Sequence, residues 1–185
     1  MTLKSDPKTV QYTDTPWAPI PLPDQPPAPK ASRAEAFATH AAFQMSVVHN
    51  LFIRALNAIY INAPLIKTLA GMKAYTGFVL ETIFIIHQHD YCEDIAMFPA
   101  LRGAGVPGME ENVQKHREYA DAFEMLKLYT EAVQAEREEY DAKKMTGLLK
   151  SFADPLVVHL REEVYHWLWL GAHIPSIRST LTLRS

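Results

Sequence analysis

Apolar residues recur along this chain at intervals of three and four, the period of an α-helix, and the alternation of a half-buried strand is absent. Ser32 and Glu35 form a Ser-x-x-Glu capping box ahead of a run carrying Phe43, Val47, Leu51 and Leu56, which ends at Ala63 before Pro64. A first helix is therefore expected over about residues 33–62. After a connector around Gly71, residues 73–98 predict a second helix, stopped by Pro99 and the cluster of Gly103, Gly105, Pro107 and Gly108. A third is expected from about Met109 to Glu139, and a fourth from about Ala142 to Leu170, closed by Gly171 and kinked by Pro155 one turn before His159. Four helices of about 25 to 30 residues joined by short breaks predict an all-α, antiparallel up-down-up-down four-helix bundle. The bundle occupies residues 32–172, and residues 173–185 form a C-terminal tail.

Eight of the thirteen prolines fall within residues 1–31, where missing amide donors prevent a regular helix or a central strand. The segment reads as an extended proline-rich arm or as a disordered leader. Trp17 is the residue best suited to pin it to the helices.

A chain of 185 residues with 48% hydrophobic content forms one domain with a substantial core. Its net charge of −3, without a basic cluster, leaves no footprint for nucleic acid. The single cysteine, Cys92, rules out an intrachain disulfide framework. No secretion signal is legible, and the apolar runs are interrupted before the roughly 20 residues of a membrane span. A soluble, cytoplasmic protein is the expectation, without a membrane partner.

Polar residues that share the apolar faces carry the chemistry. In the first helix His49, Phe52, Leu56 and Tyr60 follow one stripe; in the third, Val113, His116, Phe123 and Leu126 do the same. In the fourth the stripe is Phe152, Leu156, His159, Glu163 and Leu170, so a carboxylate takes a core position. Two segments repeat a His-x-x-x-Glu spacing, His89 with Glu93 and His159 with Glu163. That spacing stacks imidazole and carboxylate on one helix face, about 6 Å apart along the axis. A single core histidine is ordinarily a satisfied hydrogen-bonding residue. Four of them with two acids, drawn from four segments, make a metal-ligand set. His40, His87 and His173 read as surface or capping residues, and His166 either lines a channel or packs at an interface.

These residues resemble the hemerythrin-like (HHE cation-binding) domains, in particular the single-domain fungal type. The resemblance rests on His49-Asn50 followed by Arg54, Leu56, Asn57 and Tyr60, on His89-Asp90 with Glu93, Phe98 and Pro99, on Gln114-Lys115-His116 after Met109, and on His159-Leu160 with Glu163. It covers roughly residues 32–170. It implies a non-haem di-iron centre of two oxo- or hydroxo-bridged iron ions, with His49, His89, His116 and His159 as terminal ligands and Glu93 and Glu163 as bridges. Manganese or zinc suits the same donors. The oxygen-carrying branch has a further histidine one turn after the third-helix ligand, where this chain has Ala120. Its loss resembles the pattern in domains implicated in iron-centre repair and nitric-oxide handling, and leaves open metal positions.

Reaction with a small oxidant, dioxygen, peroxide or nitric oxide, is the function this implies, with Tyr60 or Tyr119 as candidate catalytic proton donors. Two alternatives stand beside it. One is a di-iron oxygenase acting on an organic substrate in specialised metabolism, with a pocket formed by the arm and the Trp167, Trp169 end. The other is non-enzymatic iron or oxygen binding, sensing or iron donation.

Overall fold

The computed structural model describes residues 14–23 and 31–182; the rest of the expected arm lies outside the described residues. All regular elements among them are helical. Helix α1 spans Arg33–Asn62 and a 3-10 turn follows at Ala63–Leu65; α2 spans Leu69–Cys92 and continues through a π-turn, Glu93–Met97, into α3, Phe98–Gly103. Beyond a short connection come α4, Met109–Glu118, α5, Ala120–Gln134, and α6, Ala142–Thr182. The Ser32 capping box is formed in both directions: Glu35 N–H donates to Ser32 Oγ, and Ser32 N–H to Glu35 Oε2.

Helix α1 packs on α6, α6 on α5, α5 on α2 and α2 on α1, a closed, bundle-like ring. Phe52, Ile53, Leu56 and Ile59 of α1 meet Val79, Ile83 and Ile86 of α2 inside it. Leu126 and Val133 of α5 and Leu149, Phe152 and Leu156 of α6 complete this core. Each fully buried side chain of this size contributes about 1.5–3 kcal/mol. Val47 and Leu51, in contrast, are exposed on the outer face of α1.

Three sequence boundaries are corrected. Pro99 does not stop the second helical segment. The π-turn widens the spiral there, Phe98 N–H donating to Glu93 O five residues back, and Pro99 falls in the first turn of α3. At that position a missing amide costs little. The third segment breaks at Tyr119, whose ψ of 3° departs from helix, and it ends at Gln134 before Glu136 takes a left-handed φ of 57°. The fourth helix runs through Gly171 to Thr182, so residues 173–182 continue it instead of forming a separate tail. Gly171 marks a close helix approach: a Cβ there would lie 3.1 Å from Ala38 Cβ.

Residues 14–23 cross the α1–α6 edge, with Trp17 and Ile20 buried. Two asparagines of α1 clamp the backbone. Asn57 accepts from Trp17 N–H at 2.9 Å and donates to Trp17 O at 2.7 Å; Asn50 does the same for Ile20 at 2.6 and 2.8 Å. From α6, Asp154 accepts from the Trp17 indole and Arg161 donates to Ala18 O.

The stretch Leu69–Gly103 is, by length and composition, apolar enough to cross a membrane, although the sequence reading anticipated no such span. In this fold 33% of its most apolar window is buried, and Asp90 and Glu93 near its end face the interior.

Candidate metal centre

Where α1, α2, α4 and α6 meet, the six side chains expected as ligands come together. His49, His116, His159, Glu93 and Glu163 are buried and His89 is nearly so. Glu93 is the pivot. Its Oε1 lies 3.3 Å from His89 Nε2 and its Oε2 lies 3.5 Å from His116 Nε2, so its two oxygens face different histidines. Two donor sets follow, His49 with His89 and Glu93, and Glu93 with His116 and His159, each with its donor atoms within 4.8 Å. Glu163 belongs to neither set by that distance, but its Oε2 stands 3.5 Å from His49 Nε2. The Nε2 atoms of His116 and His159 are 2.9 Å apart.

The local backbone places the pivot. Glu93 opens the π-turn, which alters the angular phase of everything after it. Such bulges are frequent at functional sites because they turn a side chain that a regular helix would send elsewhere.

Outer partners orient the rings. His49 Nδ1 donates to Leu160 O at 2.9 Å, His116 Nδ1 to Asp94 Oδ1 at 2.9 Å, and His89 Nδ1 to Asp90 Oδ1 at a longer 3.4 Å. A ring whose Nδ1 carries the proton presents an Nε2 lone pair inward, the usual arrangement behind a metal-bound histidine. Asp90 also accepts from the Tyr119 hydroxyl at 2.8 Å. Asp90 and Asp94 were not singled out as functional from the sequence. The only signal was their place directly after His89 and Glu93.

Burial favours the neutral form of two of the imidazoles. Burial pushes His49 and His159 down to about 3, with neighbouring imidazoles adding to the effect. Burial likewise pushes Glu93 well above the ordinary carboxylate range, reinforced by Glu163, and burial raises Glu163. His49 Nε2, both oxygens of Glu93 and Glu163 Oε2 have no hydrogen-bond partner among the described residues. Two buried acids, one with neither oxygen hydrogen-bonded and the other with a single long bond from Trp167 Nε1, cost several kcal/mol, a penalty that divalent cations between them would offset. Imidazole nitrogen with carboxylate oxygen suits iron, manganese or zinc. These residues fit a metal pair.

Of the two candidate tyrosines, only Tyr119 reaches the cluster. It is buried at the α4–α5 break with its ring beside His116 and His159, and burial with the facing Asp90 raises its hydroxyl pKa. Tyr60 lies eleven residues beyond His49, about 16 Å along α1, with its ring against Trp17. His166 donates through Nε2 to Pro107 O, and His87 packs on Phe123.

Over 130 residues the chain is 26% identical to the dimeric xanthone biosynthesis cluster protein R11 of Cryptosporiopsis sp. (strain 8999). The match covers 69% of this chain and 49% of that protein, so the chain spans about half the length of the curated relative it matches. No family model and no solved structure matches the chain.

Proposed function

We propose that this chain is a hemerythrin-like, non-haem di-iron protein that binds and reacts with a small oxidant, dioxygen, peroxide or nitric oxide, as a cytoplasmic oxidoreductase. In this reading the helices alternate in direction, and the proline-rich segment that includes residues 14–23 is an extended arm. The observation that carries it is the convergence of six donors whose inward atoms are buried and largely unpaired, with Glu93 facing two histidine pairs at once. His49 and His89 would hold one ion, His116 and His159 the other, with Glu93 and Glu163 between them.

Iron bound there supplies reducing equivalents and a binding position for the oxidant. The chain's own residues prepare that site. Leu160 O and Asp94 accept from the Nδ1 atoms of His49 and His116 and fix the rings with Nε2 turned inward. Tyr119 keeps its phenolic proton and donates it in a hydrogen bond to Asp90 beside the cluster, because burial and the adjacent carboxylate oppose its ionisation. Phe52 and Phe98, packed on His89 and His116, keep bulk water from the inner donors.

The test is anaerobic loading with Fe(II), metal analysis, and rapid mixing with each oxidant. Two irons per chain, a near-ultraviolet band after oxidation and turnover with one of the three are expected. Failure to react with all three refutes the reading; stoichiometric uptake without turnover would instead identify a carrier, sensor or iron donor.

A second reading, an oxygenase acting on an organic substrate in specialised metabolism, is favoured by the biosynthesis cluster named for the relative. The pocket expected from the arm and the Trp167, Trp169 end does not support it. Residues 14–23 lie on the α1–α6 edge, Trp167 Nε1 donates to Glu163, and Trp169 stacks on His173.

A further inference from the structure

Across the ring from the arm, a cleft of about 650 Å³ opens between α2 and α5 and descends to the metal cluster. Its walls are Leu80, Ile83, Phe84 and Tyr91 on one side and Ala120 and Phe123 on the other. Buried Asp90, His116 and Tyr119 form the floor, with Asp94 beside them.

Size separates this cleft from the needs of a small oxidant. A diatomic molecule occupies about the share of one water, ~30 Å³, whereas sites of 300–1,000 Å³ take organic ligands. Wall chemistry narrows the class further. Phe84 and Tyr91 remain 56% and 51% exposed although they flank an apolar slot, so a flat apolar body would remove their faces from water. Ala120 matters through its small size, since a large side chain there would fill the slot.

Charge decides the rest. Asp90 and Asp94 lie at the bottom, and Glu81, Glu124 and Glu131 at the walls and mouth outnumber the two cations there, Arg117 and Lys127. An anion entering the slot meets carboxylates at both ends. A hydroxyl donor meets acceptors.

We infer that the cleft binds a neutral, flat aromatic molecule bearing a hydroxyl group, with its rings between Phe84 and Phe123 and its hydroxyl toward Asp90 and Asp94. Its role as a substrate rests on the di-iron reading; the binding itself does not. The cleft would deliver an aromatic carbon or phenolic oxygen to the Tyr119 side of the metal cluster.

The experiment is a fluorescence titration of the full chain, iron-loaded and chelator-treated, with 1-naphthol and with 1-naphthoate at pH 7. Saturable 1-naphthol binding is expected, at least about tenfold tighter than 1-naphthoate, and weakened at least about tenfold by Ala120→Trp and by Leu80→Trp. Melting temperature and iron content of each variant establish that it is folded. Three results overturn the inference: no saturable binding, equal binding of the anion, or binding untouched in a folded variant. A dimer that Ala120→Trp dissociates would also overturn it, because the face would then be an interface between copies. Binding of 1-naphthol by a chain that takes up no iron defeats the di-iron reading and leaves the cleft; two irons without 1-naphthol binding do the reverse.

Discussion

Replacing Glu163 with glutamine removes one charge from the interior with almost no change of shape, and the sign of its effect depends on whether metal is present. In the metal-free chain Glu163 is 1% exposed, its Oε2 has no hydrogen-bond partner, and the Glu93 carboxylate is close enough for each acid to perturb the other. Leaving a charged group buried and unpaired costs more than the roughly 1–3 kcal/mol of a neutral one, and glutamine removes the charge while staying polar, so Glu163→Gln should stabilise the metal-free protein at neutral pH by about 1–3 kcal/mol. For a chain of this length that is roughly 2 to 12 °C in melting temperature. Burial raises the folded-state pKa of Glu163 above its unfolded value, so native Glu163 keeps its proton longer than the unfolded chain does. The wild-type contribution is therefore intact below the ordinary carboxyl pKa of 4.5 and is lost as pH rises through the folded pKa, and the advantage of glutamine should widen over the same range. Loaded with metal, the order inverts. An ion at a hundredfold excess over its Kd stabilises by about 2.7 kcal/mol, and weakening its binding a hundredfold removes most of that. Calorimetry of chelated and Fe(II)-loaded samples from pH 5 to 8, with metal counted in each, provides the comparison. A variant that melts lower without metal, or one that retains two metals with unchanged affinity, would refute the reasoning.

Asp94→Ala frees the Nδ1 of His116 from its 2.9 Å partner. Metal affinity should fall about 10- to 100-fold, measured by competition with a chromophoric chelator, while the helical circular dichroism is retained; undiminished affinity would show that Asp94 does not orient the ring. Asn57→Ala removes both hydrogen bonds to the buried Trp17 backbone. Folding stability should drop about 2–4 kcal/mol in urea titrations with the metal content unaltered, and a loss of metal instead would tie the arm to the centre.

The helical periodicity and the Ser32 capping box were legible because each is decided within a few residues. The same holds for the placing of His159 and Glu163 on one face, where the i, i+4 relation is a property of any α-helix. Boundaries set by contacts between helices were not. Gly171 carries the usual mark of a helix end, yet the chain stays helical there because the missing side chain admits Ala38 of α1. Pro99 likewise reads as a stop, and the π-turn before it removes the conflict. Tyr60 shares the stripe of His49, but a stripe says nothing of depth along the helix, and three turns separate the two.

From its sequence alone this protein is determined to be helical, to place one histidine or a histidine and an acid on the inner side of each long segment, and to carry a proline-rich start. Those are local properties, fixed by the period of the backbone hydrogen bonds and by side-chain polarity. Packing alone decided that Glu93 turns its two oxygens toward different histidines, that Asp94 and Leu160 O hold the outer nitrogens, and that space remains beside Ala120. Apart from the i, i+4 contact of Glu93 with His89, each joins residues from separate helices, and those distances exist only once the apolar faces have closed on one another.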